Sequence, residues 1–231
     1  MHEIEQDHDA APFNPVPPVV VFLALAVFGV ELIFQMGARG YVGGQDAIGW
    51  RNEAIREYGF FGLVFDWMVQ TGRWPVAELL RFVTYPFVHI GFTHMIMAAV
   101  FLLALGKLVG EVFGNFAVIL VFFTSSMVGA LAYTLFLDDQ MPLLGAFPGV
   151  YGYIGSYTLL MFISAGQTGD SRLGAFRLIG VLLGIQLVFG LLFGSSNDWV
   201  AEVAGFVTGF ALTALLVPGM VAQLIRRLRQ R

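Results

Sequence analysis

Six apolar runs, each near the length that crosses a bilayer, constrain this chain more than any other feature. They cover residues 19–36, 91–110, 116–137, 149–165, 178–193 and 203–225. A hydrocarbon core asks for about 20 apolar residues, within a range of about 17–25. The fourth and fifth runs are short by that measure and draw on their flanks. Lipid offers the backbone no hydrogen-bond partner, so runs of this kind cross as helices. Charged residues make up 12% of the chain and hydrophobic ones 58%, where a soluble domain carries about a quarter charged. The expected fold class is an all-α membrane protein, a six-transmembrane-helix bundle.

Several classes of function are excluded at once. A formal charge of −4 gives no basic surface for nucleic acid. With no cysteine there is no thiol nucleophile, thiolate metal site or disulfide. The four histidines (His2, His8, His89 and His94) are too scattered for a zinc site, so neither metal nor cofactor is expected. The acidic start (Glu3, Glu5, Asp7, Asp9) lacks the basic residues of a cleaved signal peptide, and the first apolar run is expected to be retained.

Around the bundle the chain divides into a disordered acidic, proline-rich tail (1–18), a membrane domain (19–225) and a basic tail (226–231). The first loop, 38–90, is long. Its Trp50, Trp67 and Trp74, and the run from Tyr58 to Met68, suit the membrane–water interface, where amphipathic rings settle. An even number of spans puts both termini on one side, together with Lys107, Arg172, Arg177 and the arginines of the tail. The short loops 138–144 and 194–199 on the other side carry neither Lys nor Arg. The positive-inside rule then makes both termini cytoplasmic, which suits a bacterial inner membrane. The basic tail favours anionic lipid there.

One stretch, 144–155, follows an acidic loop and reads Leu-Gly-Ala-Phe-Pro-Gly-Val-Tyr-Gly-Tyr-Ile-Gly. Pro148 suits the first turn of a helix. Gly149, Gly152 and Gly155 allow a neighbouring backbone to come close. The stretch reads either as a packing face alone or as a packing face with a functional site at its tip. Polar residues in the spans carry the same two readings. His94 and Glu202 each lie near the start of a span, and Glu202 suits a helix N-terminus electrostatically. Glu31 is expected near the interface without a functional role. Ser125, Ser126 and Ser156 are expected to bond neighbouring helices or their own backbone.

Three blocks together resemble the rhomboid family of intramembrane proteins. They are Arg81–His94, with both histidines; Gly145-Ala-Phe-Pro-Gly-Val-Tyr-Gly-Tyr-Ile-Gly155; and Ala201-Glu-Val-Ala-Gly205-Phe-Val-Thr-Gly209. The resemblance implies a bundle that, in active members, cleaves peptide bonds within membrane helices. Such members use a serine on helix four and a histidine on helix six, with a histidine and an asparagine on helix two at the oxyanion. Here the serine position is Phe147, the following glycine is Pro148, the histidine is Glu202 and the asparagine is Ala98. His94 alone is retained.

A serine mechanism needs the hydroxyl and a base within reach, and Pro148 removes an N–H where an oxyanion would be held. The expectation is a pseudoprotease similar in kind to derlins. It would lie among membrane lipid and bind transmembrane clients or partner proteins through His94, Phe147, Pro148, Tyr151 and Glu202 with Trp67 on the loop. Glu202 is expected to hydrogen-bond His94 or Tyr151. Two alternatives stay open: a non-standard intramembrane serine-type endopeptidase, and a structural subunit of a larger membrane complex. The oligomeric state is not legible.

Overall fold

The computed structural model describes residues 15–137, 139–169, 171–193 and 197–217. Most of the expected acidic tail, all of the basic tail and the end of the sixth apolar run lie outside these residues. Eight α-helices are described: α1 (Pro18–Ala38), α2 (Trp50–Tyr58), α3 (Gly62–Thr71), α4 (Val76–Thr84), α5 (Phe92–Phe136), α6 (Phe147–Thr168), α7 (Arg177–Phe193) and α8 (Trp199–Leu216). Among the described residues the extended pairing is a single bridge between Phe60 and Leu143. By length and apolarity α1, α5 and α8 suffice to cross a membrane.

The 45-residue α5 is not one rod. Gly114, at φ 81° and ψ 176°, breaks its helical path, in a conformation that glycine adopts without a Cβ penalty. Phe87, just ahead of α5, lies 6.3 Å by ring centroid from Phe122. Tyr85 donates to the Ser126 carbonyl at 2.8 Å. An unbroken helix would carry Phe122 about 45 Å away from its start. The arms 92–113 and 115–136 therefore fold back on each other, as the second and third apolar runs anticipate.

The core forms where α1, both arms of α5 and α6 meet, around Val20, Leu23, Leu102, Phe122, Tyr153 and Ile154. Residues 148–156 of α6 are all buried, the pattern of a helix enclosed on every side. The three α6 glycines do not face one partner, as a single packing stripe would. A Cβ at Gly149 would meet Phe122 and Ser126, and one at Gly152 would meet Ser125, all on the second arm of α5. A Cβ at Gly155 would strike the α8 backbone at Phe206 and Phe210. Steps of three residues fall about 60° short of a full turn, so the stripe drifts around the helix. From α8, Gly205 and Gly209 return the contact, seated against the carbonyls of Pro148 and Gly152.

The first loop holds α2, α3 and α4 and packs by a second cluster of Phe60, Phe82, Tyr85, Tyr133, Leu143 and Ala201. Leu63, Trp67, Val69, Trp74, Val76, Leu79 and Leu80 remain exposed. Arg81 braces the loop from within by bonding Glu78 and the carbonyls of Arg56 and Gly59.

Candidate functional site

The tip of α6 is set by its approach. Gly145 has φ 87° and is wedged between two imidazoles, since an added Cβ would lie 2.8 Å from His94 and 3.1 Å from His89. Its N–H donates to the Tyr85 carbonyl at 3.1 Å. The Ala146 N–H donates to His89 Nε2 at 3.3 Å, which fixes that nitrogen as the acceptor of a neutral ring. Nδ1 of His89 faces the Phe87 carbonyl without a hydrogen bond of normal geometry. Burial, then the neighbouring His94, pushes the His89 pKa down to about 4.

The two imidazoles meet edge to face at 5.3 Å. On the other side of His94 the ring of Phe147 stacks at 5.0 Å and 19°. Aromatic pairing of this kind contributes about 0.5–1.5 kcal/mol beyond area burial. Phe147 is the first residue of α6 and Pro148 the second, so proline sits where a missing N–H breaks no helical bond. One turn on, the buried Tyr151 hydroxyl donates to the carboxylate of Glu202. Glu202 lies in the first turn of α8 and is 4% exposed.

Chemically the tip holds an imidazole, a phenyl ring, a phenol and a carboxylate. No nucleophilic atom stands at 147. The three serines weighed from sequence are buried in the bundle. Ser126 bonds the Phe122 carbonyl at 2.8 Å, and Ser156 accepts from Thr213 at 2.7 Å. Ser125 has no hydrogen-bond partner among the described residues.

Comparison with known proteins identifies the domain that carries this tip. The family profile described as Rhomboid domain matches residues 76–219. The chain belongs to the rhomboid family. It is also similar to mouse (Mus musculus) Rhomboid-related protein 2, with 26% identity over 144 residues, 58% of this chain and 47% of that protein. The match thus spans under half the length of the curated relative. A rhomboid domain built on these apolar helices makes this rhomboid an integral membrane protein.

The rhomboid positions named from sequence separate into two places. His94 and Phe147 touch, Pro148 follows Phe147, and Tyr151 and Glu202 bond one turn below. Ala98, four residues after His94, is fully buried. Trp67 lies on the exposed side of α3, in the first loop and not in this cluster.

Sequence reasoning missed a second polar centre. Glu31, expected near the interface, is 1% exposed. Arg51 grips its carboxylate with both terminal nitrogens, at 2.8 and 2.7 Å. Gln35 donates to the same carboxylate at 2.8 Å, and Arg51 also reaches the His89 carbonyl at 2.7 Å. The available signal was the spacing of Glu31 and Gln35, one helical turn apart. The partner, twenty residues on in a loop, left no periodic trace.

Proposed function

We propose that this rhomboid-family chain is a pseudoprotease, which binds transmembrane segments of client or partner proteins and does not cut them. The observation that carries the reading is Phe147 stacked on His94 where the family places its nucleophile. Acyl transfer by serine needs a hydroxyl and a base in hydrogen-bond reach. A phenyl ring supplies neither atom, and it occupies the space an attacking group would use.

The binding role rests on what surrounds that tip. His94, Phe147, Pro148, Tyr151 and Glu202 offer a segment with polar or weakly helical residues partners that lipid lacks. Trp67 and the exposed apolar residues of the loop offer a second contact at the interface. In this reading the spans are six: α1, the two arms of α5, α6, α7 and α8. The first loop lies outside, both termini are cytoplasmic, and a bacterial inner membrane is the setting. The division into a tail, a membrane domain and a basic tail belongs to the same proposal, as does the likeness to derlins.

Photo-reactive residues at Phe147 and Trp67, crosslinked in native membranes and read by mass spectrometry, test it. Varied transmembrane partners at low yield are expected. One partner at constant stoichiometry would instead make the chain a structural subunit. Cleavage of a helical reporter, or labelling by a fluorophosphonate, would return it to the endopeptidases.

A further inference from the structure

A groove on the flank of α1 takes no part in the site above. Phe28, Leu32 and Gln35 of α1 line it, with Arg39 just past the end of α1 and Phe92 at the start of α5, around about 240 Å³ of space. Steps of four and three residues place the α1 members on one stripe of the helix. α1 and the first arm of α5 run antiparallel, with Val20 against Gly106 and Pro17 against Gly110. Phe92 thus falls beside the last turns of α1. Phe28, Leu32 and Phe92 are 39%, 44% and 49% exposed, so the groove opens sideways, toward lipid.

Its two ends differ in chemistry. Phe28 and Leu32 fill one end, and toward the other a guanidinium and an amide stand near Phe92. From Phe28 to Arg39 is eleven residues of helical rise, about 16 Å. That is close to half of a hydrocarbon core about 30 Å thick. Arg39 caps the end of α1, the level where a long cationic side chain reaches the headgroups.

Charge decides what sits there. Arg51 and Arg81 are committed to Glu31 and Glu78. Among the described residues the Arg39 guanidinium has neither an ion pair nor a hydrogen bond. The carboxylate of Glu31, one turn from Gln35, is already neutralised by Arg51 and does not compete for it. The polar end of the groove is therefore a single uncompensated cation beside an apolar lining.

We propose that this groove is a binding site for one anionic phospholipid, with an acyl chain along Phe28, Leu32 and Phe92 and the phosphate on Arg39. A zwitterionic headgroup brings its own cation, which Arg39 repels. A phosphatidylglycerol headgroup brings none.

The full chain in nanodiscs of phosphatidylcholine, with and without phosphatidylglycerol, tests the site by thermal unfolding. Phosphatidylglycerol is expected to raise the Tm of the wild type by about 2–4 °C. That is the shift one surface cation's attraction to anionic lipid gives in a chain of this size. Arg39→Gln should lose that increment while unfolding at the wild-type temperature in pure phosphatidylcholine. Leu32→Trp, which fills the groove, should lose it too, and native mass spectrometry should find less retained phosphatidylglycerol on both variants. Soluble glycerol phosphate should give no shift, because the chain is part of the ligand. An undiminished increment in Arg39→Gln, or a full shift from glycerol phosphate, would overturn the proposal.

Discussion

Among the described residues two glutamates lie buried in apolar helices, and the bundle accommodates them in opposite ways. Glu31 of α1 keeps a full ion pair. Both its oxygens are held by Arg51 and one also by Gln35. Glu202 of α8 meets the Tyr151 phenol and stands in the first helical turn, where the backbone dipole favours negative charge. The first carboxylate draws its partner from a loop outside the bundle, and the second is satisfied within it. Glu31 consequently works as a brace: through Arg51 it joins α1 to the loop and to the His89 carbonyl. Glu202 holds α8 to α6 through Tyr151, one turn below the tip.

The contrast breaks most sharply at Arg51. Arg51→Leu leaves Glu31 buried and unpaired, which costs about 3–5 kcal/mol. Glu31→Leu combined with Arg51→Leu should recover most of that loss in detergent unfolding. A silent single variant would mean that no brace exists.

Acid probes the same corner. His89 faces His94, Glu31 and Arg51, and its folded pKa of about 4 lies below the ordinary 6.5. The unfolded chain therefore binds the proton first. Stability is complete above about 6.5 and declines as pH falls toward 4, by up to about 3 kcal/mol. His89→Asn should flatten that limb of the pH–stability curve.

Glu202 should respond more mildly. Glu202→Leu strands the Tyr151 hydroxyl at about 1–3 kcal/mol, whereas Glu202→Gln keeps an acceptor and should cost under about 1 kcal/mol. Equal melts for the two variants would remove the phenol–carboxylate bond from the account. In the same melts Phe147→Leu, which retains an apolar filling and loses the ring stack on His94, should cost about 0.5–1.5 kcal/mol.

Periodicity made the helices legible, and residue order made the tip legible. The runs 91–110 and 116–137 were separable because Glu111 and Gly114 interrupt the apolar pattern. Pro148 marked the first turn of α6, where the helix does begin. The glycine spacing announced close approach but concealed its direction, since the drift of the stripe gives Gly149 and Gly155 different partners. Arg51 could not be found in this way. A loop arginine among five looks like any surface charge until the fold carries it to Glu31. The acceptor role of His89 was hidden for the same reason, because its partner is a backbone N–H fifty-seven residues away.

The glycine contacts between α6 and α8 also bear on time. The carbonyls of Pro148 and Gly152 occupy the places where side chains of α8 would be, so the two helices cannot slide without colliding. α7 is different: Gly180 and Gly184 have open space where a Cβ would go, and Val181, Ile185 and Val188 are exposed. Hydrogen exchange should divide accordingly, with amides of α6 and α8 protected longest and those of α7 released first. Opening of the bundle would then begin at a helix that carries none of the polar residues at the tip.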